Sequence, residues 1–156
     1  MAHNVHGCAL AVAVGGTVRG VLVLGASGSG KTTLVAETLA RARALGRFAR
    51  WVADDRVELE RAGEAVVARP PPSLAGRVEV PFGAVSAVDF LPRCLLDAVV
   101  RLDGERPLRI PDVERTTTGV PGTGPLPLLR LPPQCAQAGA AALLAWLDAG
   151  CGQHDA

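Results

Sequence analysis

One stretch of the sequence carries a nearly complete chemical instruction. Gly25, Ala26, Ser27, Gly28, Ser29, Gly30, Lys31 and Thr32 fit the pattern G-x-x-x-x-G-K-[ST] throughout. Glycines let the backbone take positive φ and approach an anion without a Cβ in the way. Successive N–H groups, and the N-terminus of the helix that follows, then point at phosphate oxygens. Lys31 is the only lysine of the chain. Its ammonium suits the outer phosphates of a nucleotide, and the Thr32 hydroxyl is an oxygen ligand for Mg²⁺. Thr33 extends the expected binding set into the first helical turn.

A second constellation is Asp54-Asp55, at the end of the apolar run Trp51-Val52-Ala53. Phosphoryl transfer needs a further carboxylate near the metal and a base for the attacking group. Adjacent residues of a strand face opposite ways, so an ideal strand would aim only one of the two at the phosphates. A strand end or a bulge would let both contribute. The N-K-x-D signature of guanine-specific proteins is absent, as is any LSGGQ-like transporter segment.

The elements that must position these residues follow from periodicity. Apolar runs at 9–14 and 21–24 around Gly15-Gly16 predict an antiparallel hairpin, with 17–19 in or near the turn. Leu34, Val35, Leu39 and Leu45 fall on one helical stripe, so a helix runs from Thr32 to Leu45 and closes at Gly46. Short strands are expected at 51–53, 57–59, 65–68, 78–80 and 98–102. Three consecutive prolines exclude 69–73 from a ladder. Residues 103–133, rich in Pro, Gly and Thr, read as a long connection. Residues 134–149 read as a last helix whose Leu143, Leu144 and Leu147 complete the core.

Composition bounds the remaining choices. A chain of 156 residues suits one domain, 1–156. With 49% hydrophobic and 20% charged residues, wholesale disorder is excluded. A net charge of +1 argues against a general binder of nucleic acid or anionic membranes, both of which require a basic face. Cys8, Cys94, Cys135 and Cys151 form no C-x-x-C pair, so free thiols in a reducing compartment are expected. The longest apolar stretches fall short of the roughly 20 residues of a spanning helix. No basic residues precede the first of them in the manner of a signal peptide. A soluble, cytoplasmic protein is the expectation.

In order along nearly the whole chain, His6-Gly7, the segment 20–32 (GVLVLGASGSGKT), 52–59 (VADDRVEL), 73–80 (SLAGRVEV) and 126–131 (LPLLRL) resemble the HPr kinase/phosphorylase catalytic domain. The likeness is to its short α-proteobacterial form. The resemblance implies an α/β fold in a single domain, with a P-loop core of the phosphoenolpyruvate-carboxykinase/HPr-kinase type. It implies an enzyme that uses ATP and Mg²⁺ to phosphorylate a serine of HPr, the small phosphocarrier of the sugar phosphotransferase system. Removal of that phosphate by phosphorolysis and a hexameric assembly are implied as well. On this likeness Lys31 and the 25–33 backbone hold the phosphates, and Thr32 with Glu79 ligates Mg²⁺. Asp55 is the favoured base, with Asp54 beside it, and His6 assists at the reacting phosphate. Arg130 is the candidate for a later basic residue of longer members.

The sequence departs from the pattern after Glu79. There the family has Arg-Gly-x-Gly, a loop associated with the reverse reaction, and this chain has Pro81-Phe82-Gly83-Ala84-Val85. Losing the arginine removes a phosphate-binding fork, which argues against phosphorolysis. Two further readings stand beside the HPr kinase. One is a related kinase with another peptide or small-molecule acceptor, and the other is an ATP-binding regulator without transfer chemistry.

Overall fold

A computed structural model describes residues 2–80, 83–104 and 114–152. They form a mixed α/β structure with one large curled sheet, a two-stranded ribbon and two helices. The chain opens with β1 (His3–His6), β2 (Cys8–Val14) and β3 (Thr17–Leu24), then α1 (Lys31–Ala44). There follow β4 (Ala49–Ala53), β5 (Arg56–Ala62), β6 (Ala65–Arg69) and a 3₁₀ turn at Pro72–Leu74. Strands β7 (Arg77–Val80), β8 (Ala84–Ala87), β9 (Cys94–Arg101), β10 (Glu114–Thr116) and β11 (Leu126–Arg130) precede α2 (Ala136–Asp148).

The expected hairpin forms, and it is longer than its apolar runs. β2 and β3 pair from Cys8↔Val23 to Val14↔Thr17, so residues 17–19 lie in the ladder. Gly15 and Gly16, both at positive φ, make the whole turn. β2 is buried on both faces, which is why it reads as a continuous apolar run. Leu10 and Val12 face one core cluster, and Ala9 and Ala11 face the other.

The main sheet runs β1-β5-β6-β9-β3-β2-β4, with β11 added parallel to β9 and β10 antiparallel to β11. α1 and α2 cover one face with Leu34, Val35, Leu39, Leu143, Leu144 and Leu147. The β5–β6 limb curls over the other face and buries Val57, Leu59, Val66 and Ala68. The C-terminal helix therefore finishes the core, as its leucines suggest. The β3–β9 register slips by one residue at Asp97, whose Oδ2 accepts the Gly20 N–H at 2.9 Å.

Three expectations change. The stretch 103–133 holds β10 and β11, which pair as sheet strands and do not form a plain connection. Their ladders of three residues, one to a strand distant in sequence, leave no local period to detect. Arg69 still pairs with Glu58, and the chain leaves the sheet only at Pro70. Gln134 stands outside the last helix with φ 56, before the N-cap at Cys135.

Candidate functional site

β3 delivers the chain to the G-x-x-x-x-G-K-T loop, and α1 starts at its lysine. Gly28 and Gly30 take φ values of 78 and 94, which a side chain would resist. Gly25 meets a different demand, since a Cβ there would sit 2.5 Å from Ser29 Oγ. Ser29 N donates to Ala26 O at 3.0 Å, and Leu34 N reaches Gly30 O at 2.9 Å, closing the loop onto the helix. Buried Lys31 folds back, donating from Nζ to Gly25 O at 2.9 Å and Ala26 O at 3.0 Å.

The opposite wall comes from two chain reversals. Gly7 alone separates β1, which pairs with β5, from β2, which pairs with β3 and β4. That switch places His6 and Cys8 on either side of one glycine. The β4–β5 connection is Asp54-Asp55, closed by Arg56 N donating to Asp54 O at 2.8 Å. Asp55 adopts φ 66, a left-handed conformation rare outside glycine, Asn and Asp. That reversal lets both carboxyl groups border one cleft, where a regular strand would send them to opposite faces.

The cleft measures about 380 Å³. Ser27, Gly28, Gly30, Lys31, Thr32 and Thr33 line it from the loop side, and His6, Cys8, Asp54, Asp55 and Glu79 from the other. Of the residues expected to bind phosphate, Gly25, Ala26 and Ser29 support this wall without lining it. Ser29 Oγ is buried and has no hydrogen-bond partner among the described residues. Pro81 and Phe82 lie outside the described residues, while Gly83 borders the cleft. Arg130 is elsewhere, held by Asp103 at 3.0 Å and Glu114 at 2.9 Å, and it contributes nothing to this site.

The two aspartates differ in surroundings. Asp54 is buried, and its Oδ1 accepts from Thr32 Oγ1 at 2.9 Å and from Cys8 Sγ at 3.1 Å. Its Oδ2 accepts the Glu79 N–H at 3.0 Å. Burial, and next the charge of Asp54, push the Cys8 thiol far above its ordinary value, so it stays a neutral donor. Asp55 is open to solvent, with a side chain 59% exposed. His6 Nδ1 lies 3.5 Å from its Oδ1 and 3.0 Å from its backbone oxygen. A carbonyl can only accept, so the ring proton sits on Nδ1. Nε2 is buried without a partner among the described residues.

The oxygens of Thr32 and Glu79, with Asp54 behind them, suit a hard cation. Among the described residues no three His, Cys, Asp or Glu side chains assemble into a metal cage. Mg²⁺ in general takes only one or two protein oxygens and completes its shell with water and phosphate oxygens.

The sequence reading missed Gln134 and Cys8. Gln134 borders the cleft from the far end of the chain, donating from Nε2 to Gly28 O and from its backbone N to Ser29 O at 2.9 Å. No local pattern announces a contact across that separation. Cys8 could have been found from alternation, being two residues beyond His6, the spacing that puts side chains of an extended chain on one face.

No helix among the described residues is long and apolar enough to cross a membrane. No protein-family model and no curated protein matches the chain. Among solved structures it is similar to the HPr(Ser) kinase/phosphatase from Coxiella burnetii, with a TM-score of 0.71 and 15% sequence identity. The match covers 96% of this chain and 90% of that one. The chain thus shares the fold of an HPr kinase/phosphatase over nearly its whole length.

Proposed function

We propose that the chain, taken over 1–156 as one catalytic domain, is an ATP-dependent serine kinase acting on HPr or an HPr-like phosphocarrier. One observation carries the reading. The G-x-x-x-x-G-K-T loop, the Thr32–Asp54 pair and the Asp55–His6 pair border a single cleft in a fold shared with an HPr(Ser) kinase/phosphatase.

In this reading the loop N–H groups and Lys31 bind the nucleotide phosphates. A terminal phosphate offers Lys31 anionic acceptors in exchange for two neutral carbonyls, a stronger hydrogen-bond pairing. Thr32 donates its proton to Asp54, so its oxygen lone pairs stay available, and with Glu79 it would hold Mg²⁺. When bound, that ion neutralises charge on the transferring phosphoryl group. Asp55, exposed at the cleft rim, takes the proton of the acceptor serine, and His6 fixes its backbone and carboxyl. Phosphoryl transfer asks mainly for positioning and charge neutralisation, which these parts can supply.

The test is the intact mass of HPr from the same organism after incubation with this protein and Mg-ATP, beside a Lys31→Ala sample. Gain of one phosphoryl group with the unmutated protein alone supports the reading. Unmodified HPr, with ATP binding demonstrated, overturns the HPr assignment. After Glu79 and Val80 of β7 the chain continues Pro81-Phe82-Gly83, where the resembled family has Arg-Gly-x-Gly. This departure favours, as a second reading, a related kinase with another peptide or small-molecule acceptor.

A further inference from the structure

We infer that Gln134 is a positioning residue of the phosphate-binding loop, bracing it from the opposite end of the chain. The inference rests on the reading of the 25–32 loop as a phosphate site and adds a residue to it. Gln134 grips two successive peptide units of that loop. Its backbone N–H donates to Ser29 O at 2.9 Å, and its side-chain amide donates to Gly28 O. Gln134 itself holds φ 56, a conformation that costs energy for a residue with a Cβ. Such a residue persists where its surroundings over-determine it.

The surroundings do so here. Leu131 N donates to Arg101 O at 2.9 Å, so the end of β11 is fastened to β9. Cys135 Sγ bonds Pro132 O at 2.8 Å, and Cys135 O accepts the Gly139 N–H at 2.6 Å at the start of α2. Gly139 packs so closely on α1 that a Cβ would lie 3.0 Å from Leu34 Cδ1. Gln134 is therefore carried by the sheet and by α2, and it reaches the loop from a rigid base.

The consequence concerns the direction of backbone dipoles. In a trans peptide the C=O and the following N–H point opposite ways. With Ser29 C=O turned to Gln134, the Gly30 N–H is turned to the other side. Gly28 and Gly30 have φ values of 78 and 94, and glycines reach many other conformations equally well. A loop of this kind needs an external tie to keep its donors arranged before the anion arrives, and preorganised donors bind without that ordering cost.

Gln134→Gly separates the brace from the fold. Glycine accepts φ 56 without strain and keeps the N–H to Ser29 O, so only the amide is lost. Three quantities decide: the thermal midpoint, the ¹⁵N order parameters of the Gly28, Ser29 and Gly30 amides without ligand, and the dissociation constants of pyrophosphate and Mg-ATP. The expected result is an unchanged or raised midpoint with order parameters falling from about 0.85 toward 0.6. Affinity for both ligands should weaken by about tenfold. Wild-type order parameters and affinities in Gln134→Gly would overturn the brace while leaving the phosphate reading intact. Failure of the unmutated protein to bind either ligand would overturn the phosphate reading, and the role of the brace with it.

Discussion

The Thr32 hydroxyl donates to Asp54 Oδ1 at 2.9 Å, joining the first turn of α1 to the end of β4. The same carboxyl group collects Cys8 and the backbone of Glu79. Asp54 is thus the point where loop, strand and ribbon meet, while Asp55 stays exposed at the cleft beside His6.

Asp54→Asn replaces an acceptor oxygen with an amide that must face either the Glu79 N–H or the Thr32 and Cys8 donors together. The expected loss of folding stability is about 1–3 kcal/mol, the cost of a buried mismatch. Urea denaturation measures it. Nucleotide affinity should fall more with Mg²⁺ present than in EDTA, and equal losses in both would count against a metal-side role.

Asp55→Asn should leave the fold intact, because Asn tolerates the left-handed conformation at φ 66 nearly as well as Asp. Transfer to the acceptor should drop roughly 10²- to 10⁴-fold, the usual worth of a general base. ATP affinity should change by less than about threefold. Single-turnover kinetics beside equilibrium binding would show the split, and retention of the full transfer rate would remove Asp55 from the role of base.

The four thiols divide by burial. Cys8 and Cys94 are buried, and burial, then the charge of a neighbouring aspartate, raises both, Cys94 to about 12. Thiolate is the reactive form, so both should resist N-ethylmaleimide at neutral pH. Cys135 and Cys151 are half-buried and should be modified first. Peptide mass mapping after brief treatment decides, and early labelling at Cys8 would show that the cleft opens wider than its structure.

Arg47 clasps Asp148 through two bonds of 2.8 Å and ties the end of α1 to the end of α2. The Arg47 hydrogen bond holds the Asp148 carboxyl below its ordinary value. A depressed carboxyl stabilises the fold above its unfolded value of about 4, and the contribution disappears as pH falls through the folded value. The pair is exposed and screened, so Asp148→Asn should cost under about 1 kcal/mol at pH 7. Thermal melts of the two proteins should begin to approach one another below about pH 4 and coincide only once pH has passed the lower, folded value.

Much of this site was legible because its signals are local. A glycine-rich turn between an apolar strand and a helix must present N–H groups, and eight consecutive residues state it. The apolar runs at 9–14, 21–24 and 51–53 and the 3.6-residue period of the first helix are long enough to be read, although the ladder extends past those runs. The acid pair was visible for the same reason.

The rest of the site depends on contacts between segments far apart in the chain. Whether Asp54 or Asp55 is buried turns on one positive φ at a two-residue connection, which no propensity specifies. The strand β1 brings His6 to Asp55 through pairing with β5, a partner some fifty residues away in sequence. β11 exists because β9 offers it an open edge, not because its proline-flanked residues favour a strand. Gln134 reaches Gly28 and Ser29 only after two helices have packed on the same face of the sheet. Local energies choose the elements, and the closing of long loops by burial chooses which side chains meet.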